Sequence, residues 1–153
     1  MAALIPETST MPNAGRVSIV TAAGVRRTFL EGLPSGTEVA GGGSGPNGLA
    51  RRDRTVYVAL GAGDTERRTD RPGITIHNPQ GASSPLFSSV LTVRLSQDPD
   101  NLTGPFRLTV AHQQTLSDGG EVQLDDGNGS TATIGLLTQF PIAEPDPNLI
   151  YRF

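Results

Sequence analysis

Few residues in this 153-residue chain are equipped for chemistry. Its two histidines, His77 and His112, stand far apart in the sequence. That separation carries none of the short-range spacing of a metal-binding pair. The chain has no cysteine, which removes thiolate nucleophiles, disulfides and cysteine-ligated zinc. All 12 basic residues are arginine. Schiff-base lysines and the phosphate-gripping lysine of a P-loop are therefore absent as well. Ser, His and Asp are all present, but no G-x-S-x-G elbow occurs to present a nucleophilic serine.

Three motifs invite a functional reading, and each has a plainer one. Gly43-Ser-Gly-Pro-Asn-Gly48 fits G-x-G-x-x-G. A dinucleotide site needs a helix straight after that loop, so that backbone N–H groups meet the pyrophosphate. Here Pro46 interrupts the motif and Arg51–Arg54 leads into strand-like sequence, so a turn is expected and no cofactor. Asp125-Asp-Gly-Asn-Gly-Ser130 has some of the oxygen spacing of a calcium loop. However, its turn glycine falls on Thr131 and its closing glutamate on Leu137. A hairpin turn is the expectation, with no resident metal. The pairs Asp98/Asp100 and Asp125/Asp126 lie in turns, where aspartate is favoured for bonding its own backbone.

Charge limits the partners. The net charge is −3, so the chain has no general attraction for nucleic acid or anionic lipid. The first 76 residues carry nine arginines and seven acids, and the rest carry three and eight. The clusters Arg51-Arg-Asp-Arg54 and Glu66-Arg-Arg-Thr-Asp-Arg71 are interleaved with acids and read as self-paired loop surface. No apolar run is long enough to span a membrane. The first ten residues lack the basic start of a secretory signal, and Pro6 breaks their apolar stretch. The expectation is a cytosolic chain, or a true N-terminus further upstream.

The elements that must position any site are strands. Arg16–Val20 and Thr55–Leu60 alternate polar and apolar residues. Val25–Leu30, Ile74–His77, Phe87–Leu95, Phe106–Ala111, Glu121–Leu124, Thr131–Phe140 and Leu149–Phe153 follow the same pattern between Gly, Pro, Asn and Asp clusters. The one helical candidate is a short turn near His112–Ser117, stopped by Asp118-Gly-Gly120. Two long loops, Pro34–Pro46 and Gly61–Gly73, stand out, because loops of this length are uncommon unless functional or flexible. The fold class is all-β.

Several stretches, in order along the chain, resemble a known family: Asn13–Val20, Arg26–Ser35, Gly45-Pro-Asn-Gly-Leu49 leading to Thr55–Gly61, and Ser83–Val90. They are similar to bacterial extracellular β-propeller proteins of the scytonemin-cluster type, NHL-like propellers of six blades. The resemblance implies a partial propeller, about two blades in residues 1–97, an inserted β-hairpin module in 98–143, and the opening strand of a further blade in 144–153. A blade takes about 40–45 residues and a ring four to eight blades, so the chain is expected to be a piece of a longer one. The resemblance further implies an extracellular or periplasmic protein without assigned chemistry, binding an unidentified protein or small molecule, with self-association through an unclosed sheet edge. Asn47 and Asp64, which flank the clearest strand, are the expected ligand-binding residues. The alternative is a metal-dependent lactonase-like hydrolase, with Glu38, Asn47 and Asp64 among the oxygen ligands of a divalent cation.

Overall fold

Alternating side chains build the larger sheet. In the strand Thr55–Leu60, Val56, Val58 and Leu60 are buried and the residues between them are less so. Ser89–Leu95 repeats the pattern with Leu91, Val93 and Leu95. In the computed structural model, which describes residues 1–141, the elements follow in this order. They are β1 (Ala3–Glu7), β2 (Gly15–Val20), β3 (Arg26–Leu33), β4 (Gly36–Thr37), β5 (Gly43–Ser44), β6 (Pro46–Arg52) and β7 (Thr55–Leu60). Then come β8 (Glu66–Arg68), β9 (Thr75–His77), β10 (Ser89–Leu95), a 3-10 turn (Pro99–Asn101), β11 (Phe106–Arg107), α1 (Val110–Ser117), β12 (Val122–Asp125) and β13 (Thr131–Gln139). The chain is all-β, as expected. The strand expected at Leu149–Phe153, and with it the blade opening at 144–153, lies outside the described residues.

Two main sheets form, in the orders β1-β2-β3-β11 and β12-β13-β10-β7-β6. Register lines up Val122, Ile134, Val93 and Val56 as one buried row across β12, β13, β10 and β7. From the first sheet come Val17, Ile19, Phe29, Leu30, Leu33 and Phe106, and all of these belong to one apolar cluster with the second sheet's row. Phe29 and Phe106 meet edge to face, ring centres 6.0 Å apart and planes at 89°, a favoured aromatic geometry. The sheet margins also adjoin: β1 lies beside β6, and β11 beside β12. Two short hairpins, β4–β5 and β8–β9, stand apart from both sheets.

Several expectations change. The stretch Phe106–Ala111 is strand only at Phe106–Arg107, and from Val110 it is helix. Thr109 caps that helix by accepting the His112 N–H, while His112 Nδ1 accepts the Thr109 N–H, the reciprocal arrangement of a capping box. The loops Pro34–Pro46 and Gly61–Gly73 hold the β4–β5 hairpin and β8. β12 and β13, from the 98–143 segment, are central or flanking members of the sheet that also holds β6, β7 and β10. Among the described residues there is neither a closed barrel nor a ring of blades. The two sheets share one core.

The remaining face of the first sheet is charged. Register sets Glu7, Arg16, Glu31 and Arg107 in a row of alternating sign across β1, β2, β3 and β11. Glu7 bonds Arg16 Nε and Arg26 Nη2, each at 2.7 Å, and accepts from the Ser18 hydroxyl. Arg107 Nε lies 2.9 Å from Glu31. Burial pushes the Glu7 carboxyl upward, but the Ser18, Arg26 and Arg16 donors outweigh it and hold the pKa at about 2.

Truncation of Phe106 to alanine removes one partner of the buried aromatic pair. A loss of about 3–5 kcal/mol is expected by denaturant unfolding. Because Glu7 is held below its ordinary value, its stabilisation is complete above about pH 4.5 and is lost as pH falls toward about 2. Asp98, lowered chiefly by the Asp100 N–H, acts in the same direction. Replacing Glu7 with glutamine should flatten the acid limb of a stability-versus-pH curve, and an unchanged limb would rule out this network as its source.

Candidate functional site

A polar cleft of about 560 Å³ lies beside the two projecting hairpins. One wall is Gly36, Thr37 and Glu38 on and after β4, and the other is Asp64, Glu66 and Arg67 leading into β8. Thr10 and Pro12 close one side. The walls are brought together by close backbone packing. A Cβ on Gly36 would lie 3.3 Å from Asp64 Cβ and Cγ, so the Asp64 side chain rests directly on β4. The hairpin β4–β5 is held from behind, where Ser9 bridges to Ser44 and the Thr37 hydroxyl donates to Thr10 O at 3.1 Å.

Asp64 is the hinge post of the second wall. Its Oδ1 accepts from the Ser83 N–H at 2.9 Å and from the Ser83 hydroxyl at 3.1 Å. Its backbone carbonyl accepts from Asn78 Nδ2 at 2.9 Å. These bonds pin the polar segment 78–85 to the start of β8. Carboxylates and guanidiniums share the cleft: Glu38 lines the β4 wall, and Asp64, Glu66, Arg67 and Arg68 line the other. Arg67 Nη2 reaches Gln80 Oε1 at 3.4 Å.

Of the residues singled out in the sequence, Asp64 and Glu38 line this cleft and Asn47 does not. Asn47 is exposed on β6. Its amide lies against Gly61, where an added Cβ would come within 2.4 Å of Nδ2. Two of the three candidate oxygen ligands therefore share the cleft, and Asn47 stands outside its lining. Among the described residues no group of three or more His, Asp or Glu is placed to hold a metal. Asp126 is turned back on its own hairpin, its Oδ1 accepting from the N–H groups of Asn128 at 2.8 Å and Ser130 at 2.9 Å. His77 is exposed on β9 and His112 serves the α1 cap, so the two do not act together. The G-x-G-x-x-G stretch lies on β5 and β6 with no helix after it.

Sequence reasoning passes over Thr10 and Thr37, and it reads Glu66 and Arg67 only as self-paired loop surface. The signal that could have found three of them is the length of the loops Pro34–Pro46 and Gly61–Gly73, which deliver them. Comparison with known protein families, characterised proteins and solved structures finds no match.

Replacing Asp64 with alanine should cost about 1–3 kcal/mol, because two Ser83 donors lose their partner. Hydrogen exchange should quicken at the Ser83 amide, while the β10 amides, central in the core sheet, should lose protection only by the global loss. Equal protection at Ser83 in both proteins would show that the post carries no load.

Proposed function

We propose that this chain is a non-enzymatic binding or scaffold module of an exported protein, and that the cleft between the β4–β5 hairpin and β8 takes its ligand, a protein segment or a small molecule. One observation carries the reading. The cleft's central carboxylate, Asp64, is engaged in holding the wall through Ser83. A volume of about 560 Å³ falls in the range of small-molecule sites, roughly 300–1,000 Å³. Walls pinned in this way lower the ordering cost of binding. Groups of both signs in the cleft suit a ligand recognised by orientation.

The extracellular or periplasmic setting enters this proposal from the sequence resemblance alone. So does its finer architectural form, in which the two sheets are sectors of a longer propeller. A blade between two neighbours buries both sheet faces. In that form the charged row Glu7, Arg16, Glu31 and Arg107 would have to be covered by a further blade. Protection of Arg16 and Arg107 from solvent in a longer chain would favour the propeller, and full exposure would exclude it.

A library of small polar and charged fragments, followed by amide chemical shifts, tests the binding role. Shifts should cluster on Gly36, Thr37, Glu38 and Asp64–Arg67, and no ester or lactone should be turned over with or without added calcium. Turnover that disappears in an Asp64→Asn variant would replace the binding role with a hydrolytic one.

A further inference from the structure

Both walls of the cleft are strands with an unused edge. Among the described residues β4 pairs only with β5, and β8 only with β9. The hydrogen bonds that close each hairpin show which backbone groups turn outward. Glu38 N–H donates to Gly42 O at 2.9 Å. In an antiparallel pair the bonded residues alternate, so Gly36 bonds Ser44 across the hairpin and Thr37 presents its N–H and C=O to the opposite side. On the other wall, Asn78 N–H donates to Thr65 O at 2.9 Å and Thr69 N–H to Ile74 O at 3.0 Å. By the same alternation Arg67 bonds Ile76, and Glu66 presents its N–H and C=O away from β9. Among the described residues neither the Thr37 nor the Glu66 backbone makes a hydrogen bond.

The lining of the cleft fits this reading. It takes consecutive residues from each strand, Gly36–Val39 on one wall and Glu66–Arg68 on the other. A strand face would offer every second residue, whereas an edge offers all of them. Pro12 and Val39 are the cleft's only apolar side chains beyond glycine among the described residues. Small-molecule pockets are mostly lined by apolar and aromatic groups, so the lining favours a backbone as the occupant. Two carboxylates are left over. Asp64 is engaged by Ser83, and Arg67 reaches Gln80. Glu38 and Glu66, one on each wall, belong to no ion pair among the described residues.

We propose that the cleft takes an extended peptide segment of a partner protein, which adds as a strand to the outer edges of β4 and β8 and places a basic side chain between Glu38 and Glu66. The inference rests on the cleft being the binding site. In strand addition the main-chain hydrogen bonds supply affinity and the alternate side chains supply specificity. Thr37 and Glu66 each offer one N–H donor and one C=O acceptor for this purpose. The three residues of β8 span about 10 Å at about 3.3 Å per residue, so the paired stretch is about three to five residues long.

The probe is the capped peptide Thr-Val-Arg-Val-Thr, whose residues favour an extended backbone, titrated into the labelled protein and followed by amide NMR. Binding should be saturable, with shifts at Thr37, Glu38 and Glu66 and slowed hydrogen exchange at the Thr37 and Glu66 amides. A copy with every amide N-methylated keeps the side chains and loses the donors. It should bind at least roughly tenfold more weakly. A copy with glutamine in place of arginine, and the Glu66→Gln protein, should each lose about threefold. Equal affinity for the methylated copy would overturn strand addition. If the peptide leaves the cleft signals unmoved while polar fragments shift them, this inference falls and the cleft remains a binding site. If neither shifts them, both fall.

Discussion

The arrangement depends on a brief parallel contact far along the chain. Phe106 and Arg107 pair with Leu30 and Glu31 of β3, although the strands before and after them, β10 and β12, belong to the other sheet. The chain thus crosses from one layer to the other and back. The crossing works only because Gly32 has no side chain. Its φ is +74°, and a Cβ there would lie 2.1 Å from the Leu108 carbonyl oxygen. With the backbones this close, Phe106 reaches Phe29 and the two layers join as one core. α1 follows immediately, and its buried Gln113 donates to Asn13 Oδ1 and Gly32 O, each at 2.9 Å, which ties the helix to the first layer. The cleft is lined from the hairpins β4–β5 and β8–β9, which stay outside the two joined sheets.

The sequence was legible wherever burial is one-sided and local. Arg16–Val20, Thr55–Leu60, Phe87–Leu95 and Thr131–Phe140 each correspond to a strand, because one face of each meets the core and period-two alternation records that. β1, β6 and β8 were missed for the opposite reason. β1 and β6 lie at sheet margins, and β8 belongs to a free-standing hairpin. Pro46, Arg51, Arg52, Arg67 and Arg68 obscure any apolar alternation in β6 and β8. The helix at Val110 was nearly hidden because it buries only Gln113 and Leu116, too little to print a 3.6-residue period. Its trace in the sequence is the stop at Asp118-Gly-Gly120.

The candidate site was half legible for a related reason. Asp64 follows the clearest strand, and it does line the cleft. Asn47 precedes the same strand, yet its amide lies against Gly61. Which side of a strand a loop residue faces depends on the twist and register that follow, and neither is written in local composition. The opposing wall, Gly36–Glu38, lies more than two dozen residues away in sequence and meets Asp64 only through folding. Likewise, motifs in the right order along a chain record which strands exist, and they do not record whether those strands stack radially or face each other.

The adjoining sheet margins have a consequence for the company this chain keeps. An exposed strand is a template on which another chain can lay itself down, and long flat ones seed fibres. Here β1 lies against β6 and β11 against β12, so each layer guards the other's flank. Among the described residues, the strands outside the two sheets belong to hairpins of two or three residues per strand, shorter than the segments of about six residues that stack into fibres. The flank that β6 presents thus has a neighbour only as long as β1 stays seated beside it.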